Sequence, residues 1–322
     1  ALAASVSDNR IIEEARSTPY PIRPIPKKSF SLALLLSLLL PTGLIFIKDQ
    51  LNDKVRDKRT ITKMTKIPIL GVVGLSKETS ALIVSQKPKS LIAESFRSIR
   101  TNLKYIASGK EQKVLLITSS VGSEGKTYTA MNLSSIIAAS GKKVVLLGLD
   151  LRKPKIVKDF NISNDKGISS FLIGSENIDA IVQKTEVENL DIIPSGPVPP
   201  NPSELIMNNK MDELIDILKT KYDMIIIDSP PIGLVTDALL LNKYADALIF
   251  VVRQNVTKKD HLSHIAQLYK EGKLKNASIL FNAVKAGGAS YGYGYGYGYG
   301  YGYGYYEEEN KKGFLKRIFS KS

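Results

Sequence analysis

The sequence predicts an α/β fold, a doubly wound and mostly parallel sheet with helices on both faces, preceded by one transmembrane helix. Five continuously apolar runs alternate with segments of helical pattern: VLLIT (114–118), VVLLG (144–148), MIIID (224–228), ALIFVV (247–252) and SILFN (278–282). Continuous hydrophobicity is typical of strands buried on both faces, as in a parallel sheet between two layers of helices. A separate stretch of 19 residues, 29–47, carries no charge.

Composition limits the chemistry. The 322 residues include 45 Lys plus Arg against 31 Asp plus Glu, a net charge of +14, with two His and no Cys. The absence of Cys excludes disulfides, thiolate zinc sites and cysteine nucleophiles, and His261 and His264 leave little for a histidine-based metal site. Any metal must therefore use oxygen ligands, and the positive charge favours either nucleic acid or an anionic membrane as a partner.

The uncharged stretch 29–47 is close to the roughly 20 residues that a helix needs to cross a bilayer. A signal peptide and a buried helix of a soluble domain are the alternatives. More cations follow the stretch than precede it: Arg23, Lys27 and Lys28 come before, and Lys48, Lys54, Arg56, Lys58, Arg59, Lys63 and Lys66 come after. The positive-inside rule therefore places the C-terminal side in the cytoplasm.

The remaining segments differ in composition. Residues 1–28 are expected to be a proline-rich extracytoplasmic tail of a longer protein whose upstream part is missing, and residues 48–79 a basic juxtamembrane linker. The α/β domain is expected to span 80–285. Residues 286–306 contain a tyrosine–glycine repeat, which predicts disorder because Gly at every second position leaves one face of a strand bare, and 307–322 form a charged tail.

A phosphate-binding motif follows the run VLLIT. Ser119–Thr127, SSVGSEGKT, lies between a predicted strand and a predicted helix, where backbone N–H groups and the helix N-terminus can surround phosphates. Lys126 is placed to reach the β- and γ-phosphates and Thr127 to offer its hydroxyl to Mg²⁺. Ser120 replaces the first glycine of the usual pattern, so a plain strand-to-helix turn remains an alternative. The predicted cofactor-binding residues here are Gly122, Ser123, Glu124, Gly125, Lys126, Thr127 and Tyr128.

Two carboxylates end other predicted strands. Asp228 closes MIIID, and a carboxylate at the tip of a buried strand needs a cation or N–H donors. Mg²⁺ held between Thr127 and Asp228 would meet that need. Asp150 follows VVLLGL, where an N-cap or a surface ion pair is an equal alternative to a functional role.

Together these elements resemble the bacterial tyrosine kinase (BY-kinase) family, with its Walker A, A′ and B motifs. The resemblance extends through ESFRSIRTNL (94–103), LDLRKP (149–154), PSGPVPPNPSELI (194–206), IIIDSPP (225–231) and the tyrosine cluster. It implies a P-loop NTPase-like domain, the cytoplasmic kinase part of a polysaccharide co-polymerase, that uses ATP and Mg²⁺ to autophosphorylate tyrosines at the bacterial inner membrane. It implies catalytic roles for Lys126, Asp150 and Asp228. Val121 stands where septum-positioning and plasmid-partition ATPases carry an extra lysine, which argues against them.

The chain departs from the family pattern at one position. Gly148 stands where the first Asp of the Walker A′ motif D-x-D-x-R is expected, so Asp150 would have to carry the remaining role at the acceptor hydroxyl. The departure leaves open an alternative function, a scaffold that uses ATP only as an assembly switch at the membrane.

The resemblance also implies partners. Glu94, Arg97 and Arg100 match the family's E-x-x-R-x-x-R motif, which implies a ring-like homo-oligomer, although spacing alone favours a solvated helix face. Membrane lipid, the polysaccharide polymerisation and export machinery and a cognate phosphotyrosine phosphatase are further expected partners, and nucleic acid is not. Arg253 and Asn282 are predicted to contact the nucleotide. The predicted phosphoacceptors are Tyr291, Tyr293, Tyr295, Tyr297, Tyr299, Tyr301, Tyr303, Tyr305 and Tyr306.

Overall fold

A computed structural model describes residue 19 and residues 26–285, except for 77, 79, 105–111, 155, 234–236 and 275. The segment predicted to be an extracytoplasmic tail, apart from residue 19 and helix positions 26–28, therefore lies outside the described residues, as do the tyrosine cluster and the charged tail. The chain divides into two units, one up to Asp53 and one from Lys54 onward.

The first unit contains helix α1, Pro26–Gln50, which includes the predicted span 29–47. Within it, Lys27–Lys48 has a mean hydropathy of 2.4 over its most apolar window and none of that window is buried. By length and composition this helix is able to cross a membrane. Pro41 lies inside the helix, where membrane helices tolerate proline.

The second unit is built on an eight-stranded sheet in the order β1-β8-β7-β2-β6-β3-β5-β4. The strands are β1 Ile69–Gly74, β2 Val114–Ser119, β3 Val144–Gly148, β4 Gln183–Lys184, β5 Leu190–Ile193, β6 Met224–Asp228, β7 Ala247–Arg253 and β8 Ala277–Val284. All neighbours pair in parallel except β4 with β5, which are antiparallel. The predicted fold class is confirmed, and all five predicted strands are present.

The helices cover both faces of the sheet. They are α2 Lys58–Met64, α3 Ile83–Gln86, α4 Leu91–Leu103, α5 Lys126–Ala138, α6 Ile156–Asp159, α7 Ile168–Ile173, α8 Ile178–Ile181, α9 Pro202–Met207, α10 Asn209–Lys221, α11 Asp237–Leu241 and α12 Lys259–Lys270. Successive strand residues join opposite core clusters: Leu116 lies in one, and Leu115 and Ile117 lie in the other. This two-sided burial explains why the central strands are apolar at every position.

The prediction that residues 48–79 form a linker is wrong for most of that segment. It contains α2 and the edge strand β1, which pairs with β8. Val55 and Ile61 are fully buried in the core, and the backbone N–H of Val55 donates to the carbonyl oxygen of Thr257. The basic residues around these apolar positions made the segment resemble a solvated linker, so the folded unit begins before residue 80.

Candidate active site

The loop between β2 and α5 is held in an unusual backbone shape. Ser123 and Gly125 both adopt left-handed conformations, with φ of 67° and 98°. A Cβ atom on Gly125 would lie 2.1 Å from Nδ2 of Asn282, so this position requires glycine for both its φ and its close contact. Because α5 begins at Lys126, directly after this loop, the helix N-terminus is available to an anion.

Four predicted side chains meet behind the loop. Nζ of Lys126 lies 2.9 Å from Oδ2 of Asp150 and 3.6 Å from Oδ1 of Asp228. The hydroxyl of Thr127 donates to Oδ2 of Asp228 at 2.8 Å. All four residues are buried. The sheet brings them together, because β6 lies between β2 and β3 and all three strands end at the same edge.

Burial and charge together shift the pKa values of this cluster. Burial disfavours the ammonium of Lys126, but the carboxylates of Asp228 and Asp150 outweigh it and raise its pKa. Burial raises the pKa of Asp228, with a further contribution from Asp150, against the opposing effects of Lys126 and the Thr127 hydroxyl. Oδ1 of Asp228 accepts no hydrogen bond from the described residues. This oxygen therefore has capacity for another cationic partner, which would favour the ionised carboxylate.

The oxygen atoms at this point fit Mg²⁺. The described residues contain no group of three or more His, Cys, Asp or Glu side chains suited to a metal. Mg²⁺ usually binds through one or two carboxylates and completes its shell with phosphates and water. The hydroxyl of Thr127 and the Asp228 oxygen that accepts no hydrogen bond supply such a partial shell.

A cavity of about 220 Å³ opens above the cluster. It is lined by Gly122, Ser123, Gly125, Lys126, Thr127, Tyr128, Asp150, Arg152, Lys153, Pro230 and Pro231. Six of the seven predicted residues from the loop and the start of α5 therefore face one space, with Asp150 on its wall. Burial raises the pKa of Tyr128 to about 12, so its phenol stays protonated at neutral pH.

Three predicted nucleotide contacts lie elsewhere. Glu124, Arg253 and Asn282 are not among the described residues that line the cavity. Instead, Arg253 donates to the backbone oxygen of Ser123 at 2.7 Å, and Asn282 donates to the backbone oxygen of Glu124 at 2.9 Å. The Glu124 carboxylate accepts hydrogen bonds from the start of its own loop. In the structure these three residues therefore support the loop, and their contact with the nucleotide stays a prediction.

The predicted oligomerisation residues make contacts within the chain. Arg97 forms an ion pair with Glu94 on α4, and both side chains are partly exposed. Arg100 donates to the carbonyl oxygen of Ile136 on α5 at 3.0 Å. The motif thus joins α4 to the helix that follows the phosphate loop, and its predicted contact with a second copy stays a prediction.

One buried acid near the cavity is not indicated by any motif or periodicity in the sequence. Asp237, 1% exposed at the start of α11, pairs with Nε of Arg152 at 2.9 Å and accepts from the hydroxyl of Ser203. Arg152 and Ser203 belong to two of the segments that carry the family resemblance. A single acid in the first turn of a short helix is more often a cap, so its role became visible only from its contacts.

The structure also shows what Gly148 allows. A Cβ atom there would lie 3.2 Å from Oγ and 3.3 Å from the backbone N of Ser195, and that Oγ donates to the Gly148 carbonyl at 2.6 Å. An aspartate at this position would require Ser195 to move by a few tenths of an ångström. Asp150 therefore supplies the carboxylate beside Lys126 in this chain.

Comparison with known proteins agrees with this geometry. The AAA domain family matches residues 112–279, just over half of the chain. The chain is 38% identical to the tyrosine-protein kinase YwqD of Bacillus subtilis over 204 residues, which cover 63% of this chain and 86% of that protein. The chain belongs to the family of bacterial tyrosine-protein kinases. This confirms the resemblance drawn from the motifs and favours a kinase over a scaffold without kinase activity.

Two further similarities define the extent of this kinase. It is 30% identical to a putative tyrosine-protein kinase in the cps region of Klebsiella pneumoniae over 310 residues, 91% of this chain but 43% of that protein. It thus spans less than half the length of that longer relative. The kinase domain of the Escherichia coli tyrosine kinase ETK covers 77% of this chain with a TM-score of 0.67 and 25% identity, and all of that domain is matched.

Proposed function

We propose that this kinase transfers the γ-phosphoryl group of ATP to tyrosines in the C-terminal segment of a neighbouring copy. The proposal is carried by the buried ion pairs of Lys126 with Asp150 and Asp228. They lie at the floor of a cavity lined by the phosphate loop. Buried opposite charges of this kind are suited to neutralising phosphate and orienting an acceptor, which is most of what phosphoryl transfer requires.

Each residue has a separate task in this proposal. Lys126 exchanges its carboxylate partners for phosphate oxygens and neutralises the charge that develops there. Thr127 and Asp228 hold Mg²⁺, which when bound neutralises further phosphate charge. Asp150 accepts the phenolic proton while the tyrosine oxygen bonds to the γ-phosphorus. The bond between that phosphorus and the β–γ bridging oxygen breaks, and ADP leaves with the bond's electron pair.

The acceptors are the nine tyrosines between Tyr291 and Tyr306, which lie outside the described residues. The alternation of Gly and Tyr offers phenols with little steric hindrance, and each phosphate adds about −1.5 to −2 charges. Accumulated charge would repel the tail from a site built for ATP. Unmodified tails would thus dock on neighbours, and phosphorylated tails would be released.

Mass spectrometry tests the acceptor assignment. After incubation with Mg²⁺ and ATP, phosphotyrosine should appear between Tyr291 and Tyr306, and a variant with Phe at all nine tyrosines should lose most of the label. Changing Tyr222 and Tyr269, both in the folded unit, to Phe serves as the control and should leave the tail label intact. Phosphate found only outside the tail would exclude the proposed acceptors.

Assembly is proposed through α4. The proposal pairs the two arginines with acidic groups of a neighbouring copy. Charge reversal of Arg97 and Arg100 to Glu should therefore introduce repulsion and reduce the molar mass measured by light scattering to that of smaller species. Reversal of Lys219 and Lys221, at the end of the equally long helix α10, should leave the mass unchanged. Melting temperatures of both variants check that the folded unit persists. An unchanged assembly in the α4 variant would rule out this surface.

The proposed setting is the cytoplasmic face of the bacterial inner membrane, with α1 as the anchor. Lys48, in the last turn of α1, suits anionic lipid headgroups, where one such cation contributes about 1 kcal/mol. The cps-region name of the Klebsiella relative supports a role in regulating capsular or exopolysaccharide polymerisation and export. A phosphotyrosine phosphatase that resets the tail is a further part of the proposal.

A further inference from the structure

Glu124 is a fully buried carboxylate in the phosphate loop that faces away from the cavity. It accepts from the backbone N–H of Ser120 at 2.7 Å and of Val121 at 3.0 Å. The hydroxyl of Ser120 also donates to it at 2.8 Å. Ser120 stands where the usual motif has its first glycine. The loop accommodates its side chain because the hydroxyl bonds to Glu124.

The fourth contact comes from outside the loop. The hydroxyl of Thr257, in the connection between β7 and α12, donates to Oε1 of Glu124. The same hydroxyl oxygen accepts from the backbone N–H of Arg253 at 2.8 Å, so its orientation is set by both neighbours. Thr257 is fully buried. Hydrogen bonds to a buried carboxylate are among the stronger ones in proteins.

The loop needs such support because its backbone is strained. Ser123 adopts a φ of 67°, a conformation that is unfavourable for a residue with a Cβ atom. Two residues later, Gly125 adopts a φ of 98°. Glu124 lies between them. Strained conformations persist only where the surroundings impose them, and here the surroundings are β7, the connection after it and β8.

We propose that Glu124 and Thr257 are positioning residues, which hold the phosphate loop in its nucleotide-binding shape before the nucleotide arrives. Without the Thr257 hydroxyl, the carboxylate would keep its partners at the start of the loop and lose its link to the sheet. The nucleotide would then have to order the loop on binding, which weakens affinity. The inference depends on nucleotide binding at this site and not on tyrosine as the acceptor.

The test uses the full chain in detergent and three variants. Thr257→Val removes the hydroxyl at nearly constant shape, Thr257→Ser restores it, and Ser278→Ala removes a buried hydroxyl bonded to Leu248 on strands outside the loop. Binding of a fluorescent ADP derivative with Mg²⁺ is measured, together with the KM for ATP and the melting temperature without nucleotide. We expect Thr257→Val to weaken ADP binding by about tenfold and to raise KM more than it lowers kcat, as befits one charge-assisted hydrogen bond. Thr257→Ser should bind close to wild type.

Each other outcome overturns the proposal. Wild-type affinity in Thr257→Val would show that the hydroxyl does not support the loop. Equal loss in Thr257→Ser, or in Ser278→Ala, would show that packing or overall stability is responsible. If Thr257→Val does not fold, Glu124→Gln weakens the same link from its other side by removing the charge that accepts the Thr257 hydroxyl, and wild-type ADP binding there overturns the proposal equally. Because ADP carries no transferable γ-phosphoryl group, failure of the kinase proposal would be seen separately, as absent phosphotyrosine.

Discussion

Lys126→Met is expected to abolish tyrosine phosphorylation, with a loss of ~10³-fold or more in phosphoryl transfer. Methionine keeps the length and apolar stem of lysine but removes the positive charge that lies 2.9 Å from Asp150 and 3.6 Å from Asp228. The γ-phosphoryl oxygens would then meet two carboxylates with no lysine between them. The measurement is transfer from radiolabelled ATP, followed by mapping of the labelled residues.

The matched control is Lys143→Met, an exposed lysine just before β3, at the opposite end of that strand from the cavity. It should keep wild-type labelling. Mixing Lys126→Met chains with wild-type chains adds a test of transfer between copies, because the variant's own tail should then become labelled. Labelled tyrosines in Lys126→Met alone would contradict the role assigned to this lysine.

Asp228→Asn is expected to lower phosphoryl transfer by ~10²-fold or more while leaving the nucleotide-free protein at least as stable as wild type. Asparagine keeps an oxygen for the Thr127 hydroxyl but removes the charge proposed to hold Mg²⁺. The activity deficit should shrink as Mg²⁺ concentration rises. Initial rates of ADP formation and of labelling across a Mg²⁺ titration check this result.

The stability part follows from the sign of the pKa shift. Burial raises the folded-state pKa of Asp228 above the unfolded value, so ionising it opposes folding. Protonated Asp228 therefore contributes its full stabilisation of the folded state at pH values below its pKa in the unfolded chain. That stabilisation is lost as the pH rises through its pKa in the folded protein. Asparagine does not titrate, so its advantage in melting temperature should be larger at pH 7 than at pH 4. A large loss of stability at pH 7 would mean that the Lys126 pairing outweighs desolvation.

Local pattern was sufficient for the centre of this molecule. The five apolar runs correspond to β2, β3, β6, β7 and β8, because strands buried on both faces must be apolar at consecutive positions. Lys126, Thr127, Asp150 and Asp228 were also recognisable from sequence. Each lies at or just beyond the end of such a strand or at the start of the following helix. Because parallel strands end at the same edge of the sheet, these residues come together there.

The elements at the periphery were not recognisable in this way. The edge strand β1 lies within a basic segment, and β4 and β5 have two and four residues. Such short or charge-flanked runs bury too little apolar surface to produce a distinct pattern. They become strands because the neighbouring strand offers hydrogen bonds, which is a property of the assembled sheet.

The sequence by itself therefore determined the fold class, the apolar helix near the N-terminus and the residues able to meet phosphate and Mg²⁺. Only the tertiary structure decided which side chains face the cavity and which support it. Thr257 and Asn282 reach Glu124 across 133 and 158 positions of the chain, and Asp237 reaches Arg152 across 85. Contacts between residues so far apart in the sequence form only when the elements pack on the completed sheet. Neither hydrophobic periodicity nor motif spacing can therefore predict them.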